Sequence, residues 1–125
     1  MRGNEVVKNI MFDADKIYVS SLSVFELLLG KDKNVLDFIS SLDGVVSLTK
    51  RDSVTASLIY KRLKENGSLI GLVDILIASQ AINRKLTVLT KDKDFEKLGA
   101  IVDTVFNKEL SVCLDCIFYL TIILS

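Results

Sequence analysis

The chain has 125 residues, half of them hydrophobic, which is enough for one domain with a real core and argues against disorder. Its 16 basic and 16 acidic residues cancel, so net charge provides no general attraction to nucleic acid or to a membrane. Histidine is absent, which excludes histidine acid–base catalysis, histidine-activated nucleophiles and histidine metal ligands. A metal held only by oxygen ligands would favour Mg²⁺ or Mn²⁺.

Helices and strands are predicted to alternate along the chain, from apolar residues at helical spacing and from short runs of β-formers. In chain order they are a helix within residues 1–16, a strand over 16–20, helices over 24–29 and 34–42, a strand over 45–48, helices over 54–64 and 72–83, a strand over 86–89, a helical turn over 92–98 and a strand over 100–106. This alternation favours an α/β fold in which helices cover both faces of a parallel sheet.

Helix starts are predicted from side chains that accept backbone hydrogen bonds. Ser21 or Ser23 is the expected cap of the helix that follows the first strand, and Asp52 or Ser53 is the expected start of the long helix over 54–64. With Ser23 as the cap, Glu26 would complete a capping box. Glu26 therefore has a purely local explanation.

Three acids nevertheless lie inside or beside apolar segments, close to predicted strand ends. They are Glu26, Asp74 and Asp92, with Asp94 near the last. Ligands of parallel sheets collect beyond the carboxyl ends of the strands. A lone carboxylate is costly to bury, so each acid needs a partner, and a shared metal ion is one such partner. Three or four acids from distant parts of a chain suit a nuclease, in which Mg²⁺ activates water and stabilises charge on the phosphate.

The other acids also have local explanations, which compete with a metal site. Asp74 in the first turn of a helix complements the helix dipole. Asp92 or Asp94 could cap the turn that follows the strand over 86–89. On this interpretation the protein is a small α/β interaction domain whose acids only cap helices.

Three segments in order carry a family resemblance: residues 20–27 (SSLSVFEL), residues 71–79 (GLVDILIAS) together with Ala81, and residues 90–95 (TKDKDF). They resemble PIN-domain ribonucleases, most closely the VapC-type toxins of prokaryotic toxin–antitoxin modules. The resemblance covers roughly residues 4–106. It implies a three-layer α/β/α sandwich with a short parallel sheet, dependence on Mg²⁺ or Mn²⁺, and cleavage of RNA. It also implies a homodimer and inhibition by an antitoxin protein from the neighbouring gene.

The resemblance also implies a role for each acid. Glu26 matches the second acid of the family, Asp74 the third and Asp92 the fourth, with Asp94 as a nearby catalytic alternative. Asp74 is the expected direct metal ligand, whereas Glu26 and Asp92 are expected to bind the metal or its waters. The hydroxyl-bearing residues that could assist by hydrogen bonding are Ser79 and Thr90.

The start of the chain departs from the family pattern. Family members begin with a central apolar strand that ends in the first acid, whereas residues 1–5 (MRGNE) resemble the region after that strand. We therefore expect a PIN-like domain over residues 1–109 that is incomplete at its N-terminus, with the first central strand apparently absent. Weak metal binding and exposed strand edges would follow. The alternative function is a catalytically impaired remnant that only binds an antitoxin.

The apolar tail over residues 110–125 contains 12 apolar positions and one charge, Asp115. A membrane-spanning helix needs about 20 apolar residues, so a membrane location is not expected. The favoured interpretation of the tail is a translated shifted frame; the alternatives are a membrane-seeking segment and a strand that partly replaces the missing one. Cys113 and Cys116 are expected to be reduced thiols, and with no signal peptide visible the expected location is cytoplasmic.

Overall fold

The computed structural model describes residues 16–30, 34–90, 97–98, 104–106 and 122–124. The helices and strands in this part of the chain are β1 (Ile17–Ser20), α1 (Ser21–Leu28), α2 (Val35–Ser41), β2 (Gly44–Val46), α3 (Lys50–Glu65), α4 (Leu72–Arg84), β3 (Thr87–Thr90), β4 (Thr104–Phe106) and β5 (Ile122–Leu124). The helix predicted within residues 1–16, the acids Asp92 and Asp94, and both cysteines lie outside the described residues.

The strands form one sheet in the order β2-β1-β5-β3-β4. β1 pairs with β2 in parallel, and β3 pairs with β4 in parallel. β5 lies between β1 and β3 and is antiparallel to both. The sheet is therefore mixed: the predicted parallel arrangement holds for β1 to β4, while an antiparallel strand occupies its centre.

The strand order places the helices on both faces of the sheet. The chain moves one position along the sheet from β1 to β2, and then moves in the opposite direction from β2 to β3. Right-handed crossovers in opposite directions lie on opposite faces. α1 and α2 therefore cover one face and α3 and α4 cover the other, which gives the predicted three layers.

Alternation along the strands divides the core between these two faces. On the face of α3 and α4, Tyr18 of β1 packs against a cluster of buried residues. The cluster comprises Val46, Ala56, Ile59, Leu63, Ile70, Ile75, Ile77, Ala78, Ala81, Val88 and Leu98. Val19 and Leu89 follow Tyr18 and Val88 along their strands, so they point to the other face, and both are fully buried. On that face α1 and α2 contribute the buried residues Leu27 and Val35.

Two predicted helix caps were wrong by a few residues. α1 is capped by Ser20, whose hydroxyl accepts a hydrogen bond from the Leu22 N–H. Neither Ser21 nor Ser23 is the cap, so Glu26 does not belong to a capping box. Ser20 was assigned to the strand because it continues a run of β-formers, yet it ends β1 and caps α1 at the same time.

The long helix α3 begins earlier than predicted, at Lys50. Thr49 is its cap, and the Asp52 N–H donates to the Thr49 hydroxyl while the Thr49 N–H donates to the Asp52 carboxylate. Asp52 is therefore the third helical residue of a capping box rather than the cap itself. The first turn, which contains Lys50 and Arg51, lacks the apolar periodicity from which the start was predicted.

The tail contributes a strand, which is one of the two alternatives to the favoured shifted frame. Residues Ile122–Leu124 form β5 in the centre of the sheet. In the described part of the chain, no helix has the length and apolar character needed to cross a membrane. A short run of Ile and Leu has the high strand propensity that suits such a strand.

Asp52 is buried and joins α3 to α4. Its carboxylate accepts hydrogen bonds from Asn83 Nδ2 at 2.9 Å, from Arg84 Nη1 at 2.9 Å and from Arg84 Nη2 at 3.1 Å, besides the one from Thr49. Burial alone would raise the pKa of Asp52, but hydrogen bonds from Arg84, Asn83 and Thr49 outweigh it and hold the pKa well below its usual value. An ionised Asp52 therefore stabilises the packing of the two helices.

Replacing Asp52 with Asn should lower the free energy of unfolding at neutral pH by about 2–3 kcal/mol, because it leaves Arg84 without its partner. Since the folded-state pKa is lowered, this stabilisation is present above the unfolded-state pKa of about 4 and is lost as the pH falls towards the folded-state value. Urea unfolding of wild type and D52N should therefore differ at pH 7 and converge below pH 4. Asp37→Asn, at an exposed position in the first turn of α2, is the matched control. A difference that persists unchanged at pH 3 would contradict this account.

Candidate functional site

The carboxyl ends of four strands lie at one edge of the sheet. β1 is parallel to β2, β3 is parallel to β4, and β5 is antiparallel to both β1 and β3, so β1 to β4 all run in the same direction. Their last residues are Ser20, Val46, Thr90 and Phe106. This is the edge at which the sequence predicted a shared acidic site.

A buried glutamine connects α4 to this edge. Gln80 is fully buried; its Nε2 donates to the Val46 carbonyl oxygen at 3.0 Å, and its Oε1 accepts from the Ser20 hydroxyl at 2.5 Å. The Ser20 oxygen in turn accepts from the Leu22 N–H at 3.1 Å. The side chain of Gln80 thus binds the ends of β1 and β2 together and orients the cap of α1.

Glu26 and Asp74 are each six residues along the chain from one of the two residues that form the Ser20–Gln80 hydrogen bond. Glu26 follows Ser20 by six residues on α1, and Asp74 precedes Gln80 by six residues on α4. Six residues of α-helix rise by about 9 Å. α4 runs back towards the start of β3 through a two-residue connection, so its N-terminal half, which carries Asp74, extends beyond the carboxyl edge.

Asp74 lies over the start of α4. It is the acidic residue of the first turn, and the cap residue, Gly71, has no side chain that could accept a hydrogen bond from the helix start. A Cβ at position 71 would lie 3.6 Å from Asp74 Oδ2, so this carboxylate contacts the helix start. A carboxylate here is favoured by the partial positive charge of the helix N-terminus. Asp74 is half-buried, which leaves it accessible to a small ligand.

Glu26 lies among apolar neighbours on α1. Its side chain is exposed, but partial burial of its carboxyl raises its pKa above the usual value. Phe25 and Leu29 beside it are 64% and 71% exposed. Burial disfavours the ionised form of a carboxyl, and a positive charge nearby would favour that form.

Two serines near the acids differ in their hydrogen bonding. Ser79, which the family resemblance suggested as an assisting hydroxyl, donates to the Leu76 carbonyl oxygen of its own helix at 2.6 Å. Ser23, three residues before Glu26, is 2% exposed, and its hydroxyl has no hydrogen-bond partner. A buried hydroxyl without a partner is costly. A hydrogen bond to a bound water or ligand would therefore stabilise Ser23, whereas Ser79 already has a partner.

The described residues provide part of a metal site. No group of three or more Asp, Glu or Cys side chains that could hold a metal ion occurs among the described residues. Glu26 and Asp74 are the two predicted acids within them, and Asp92 and Asp94 lie outside. Mg²⁺ is commonly held by one or two carboxylates together with waters and substrate phosphates. Glu26 and Asp74 carry the oxygen ligands that such an ion prefers.

Ser20 and Gln80 were missed as site residues by sequence reasoning. Gln80 stands between Ser79 and Ala81 in an apolar helix, and a large polar side chain in that position signals a buried hydrogen-bonding role. The sequence could not indicate its partners, because they lie 60 and 34 residues away. Only the assembled sheet brings the three chain segments together.

Known proteins share both the sequence and the fold. The PIN domain family model matches residues 2–101. Ribonuclease VapC1 of Methanocaldococcus jannaschii is 30% identical over 95 residues, which cover 72% of this chain and 70% of that protein.

Two crystal structures have similar folds. VapBC2 from Rickettsia felis, bound to a DNA fragment from their promoter, superposes with a TM-score of 0.65 at 20% identity and covers 79% of this chain and 80% of that chain. DNA-bound VapBC from Salmonella typhimurium superposes with a TM-score of 0.70 at 23% identity and covers 81% and 83%. At these identities the structures establish the fold.

The fold is that of a three-layer α/β protein in which four parallel strands end at one edge of the sheet. The chain belongs to the PIN domain family. Its 30% identity to a VapC ribonuclease groups it with the VapC-type members of that family.

Replacing Gln80 with Leu should lower the free energy of unfolding by about 2–3 kcal/mol, because the Ser20 hydroxyl and the Val46 carbonyl lose a buried partner. Ser20→Ala should be costly for the same reason. The double variant should cost less than the sum of the two, with a coupling of about 1 kcal/mol or more. Chemical denaturation of the four proteins measures this coupling. Strict additivity would show that the Ser20–Gln80 hydrogen bond does not stabilise the fold.

Proposed function

We propose that this protein is a VapC-like, metal-dependent endoribonuclease, the toxin of a toxin–antitoxin pair. The observation that carries the proposal is the position of Glu26 and Asp74 on two helices joined by the Ser20–Gln80 hydrogen bond at the carboxyl edge of a PIN-family sheet. The ribonuclease name of the relative from M. jannaschii supports the same activity.

In this proposal Asp74, Glu26 and Asp92 hold a Mg²⁺ or Mn²⁺ ion, and Asp94 is available beside Asp92. When bound, such an ion supplies an activated water and stabilises charge on the scissile phosphate. Asp74 serves as the direct ligand, and a carboxylate at its position in the first turn of α4 is favoured by the helix dipole. Glu26 follows Ser20, the cap of α1, by six residues on the same helix.

An antitoxin-like partner would cover the apolar surface around Glu26. Four exposed apolar side chains of α1 and its neighbourhood form this surface: Phe25, Leu28, Leu29 and Leu36. Exposed apolar patches of this kind mark interaction sites. The VapBC complexes with similar folds support a protein partner, and a partner bound here would lie directly beside Glu26.

The specific observation that favours the alternative function is the same surface. A catalytically impaired chain would still bind an antitoxin through Phe25 and Leu29, because that contact needs no metal. We place both activities in the cytoplasm. The proposed homodimer has a second apolar surface available, a groove of about 710 Å³ between α3 and α4 that includes Tyr60, Leu72 and Leu76.

Asp74→Asn should abolish RNA cleavage, because the amide removes the charge that the ion requires while keeping the shape of the side chain. Loss of a metal-binding carboxylate should lower the cleavage rate by about 100-fold or more. The assay is cleavage of a mixed RNA pool with and without Mg²⁺ or Mn²⁺, resolved by gel electrophoresis. Asp37→Asn is the matched control and should cleave as wild type does. Wild-type cleavage that persists in excess EDTA would refute the metal-dependent mechanism.

Phe25→Ser combined with Leu29→Ser should weaken binding of the protein encoded by the neighbouring gene by at least tenfold, since large buried apolar side chains dominate interface energies. Calorimetric titration of the purified proteins measures this. Leu58→Ser on α3, which is 62% exposed, is the control and should bind normally. Equal affinity for all three proteins would place the partner on another surface. Binding by a wild-type chain that cleaves no RNA would favour the impaired alternative.

A further inference from the structure

The centre of the sheet consists of a strand that differs from all its neighbours. β1 and β2 form one parallel pair, and β3 and β4 form another. β5 alone joins these two pairs by backbone hydrogen bonds in the described sheet, and it runs in the opposite direction to both. Its first residue, Ile122, comes 16 positions after the end of β4 at Phe106.

Without a strand in this position, β1 and β3 would each present a row of unpaired backbone groups inside the protein. Unpaired backbone groups that are buried are costly. Val19 of β1 and Val88 and Leu89 of β3 are all fully buried with β5 in place, so loss of the strand would expose apolar surface together with unpaired backbone groups. The space between the two strands therefore has the properties of a groove for an extended apolar peptide.

The register shows how the chain meets this requirement. Val19 and Leu89 both lie opposite Ile122, Tyr18 and Val88 lie opposite Ile123, and Ile17 and Thr87 lie opposite Leu124. Each residue of the short strand is thus paired on both sides. Three consecutive Ile or Leu residues combine high strand propensity with the apolar character that a strand buried on both faces requires.

We propose that the space between β1 and β3 is a strand-binding groove, and that this chain fills it with its own residues Ile122–Leu124 in antiparallel alignment. The walls of the groove are β1 of one parallel pair and β3 of the other, and β5 is the segment that binds between them. An added apolar peptide of the same sequence can then enter the groove when the chain's own strand is weakened. This inference does not depend on the proposed nuclease activity.

Cysteine pairs test the alignment in the full chain, in a background with Cys113→Ser and Cys116→Ser. In the antiparallel register, Ile17→Cys with Leu124→Cys places two cysteines directly opposite each other, within reach of a disulfide. Ile17→Cys with Ile122→Cys is the matched control, because those positions would be opposite only in a parallel strand. Mild oxidation should convert most of the first protein into a cross-linked monomer and leave the second reduced, as read by mass spectrometry and non-reducing gels.

Peptide binding tests whether an added peptide can take the place of the chain's own β5. Ile123→Asp places a charge in the groove and should lower the melting temperature by roughly 10 °C, whereas Leu58→Asp on the exposed face of α3 should change it little. A fluorescent peptide with the sequence of residues 119–125 and a lysine tail should bind the Ile123→Asp chain and restore most of the lost melting temperature. The native chain, whose groove is filled, should bind it at least tenfold more weakly. The same peptide with Asp at the position of Ile123 should not bind.

Several results would overturn the inference. Equal cross-linking of both cysteine pairs, or of neither, would show that the strand does not hold this register. A disulfide formed between two copies would show that the groove is filled by a second chain rather than by the chain's own strand. If Ile123→Asp does not fold, the cysteine pairs still decide the register. Peptide binding that is equally tight for the native chain would show that the groove is not occupied.

Discussion

The architecture depends on one buried amide. Gln80 is removed from water in the middle of an apolar helix, and an unsatisfied amide in that position would cost several kcal/mol. Its two hydrogen bonds, to the Ser20 hydroxyl and the Val46 carbonyl, can form only when α4 crosses the ends of β1 and β2. The need to satisfy this side chain therefore selects the placement of the helix, and the helix carries Asp74 with it.

Local sequence predicted most of the elements and the order in which they occur. Apolar periodicity located α2, α4 and β3 to within two residues, because their buried positions repeat with the period of the structure they adopt. The helix starts were less accurate. Ser20 and Thr49 act as caps through hydrogen bonds to N–H groups two and three residues ahead, and neighbouring serines and acids compete for that role with equal intrinsic preference.

The candidate site was predicted only in part, since its acids are local features and its geometry is not. Glu26 and Asp74 stand out as acids in apolar segments, and the strand order does bring their helices to one edge. Their mutual placement depends on Gln80 contacts that span 34 and 60 residues, which no local pattern encodes.

The strand at the centre of the sheet could not be predicted for a similar reason. A three-residue apolar run can be a buried strand, a piece of helix or an unstructured tail, and only pairing with β1 and β3 distinguishes them.

The two faces of the sheet differ in how firmly they join its halves. On the face of α3 and α4, the core cluster extends from Val46 to Val88, and α4 itself spans both parallel pairs. On the opposite face, α1 packs against β1 and α2 against β2, so among the described residues the central strand is the direct link to β3. The Ser20–Gln80 hydrogen bond, by contrast, links the helices that carry Glu26 and Asp74 without passing through β5.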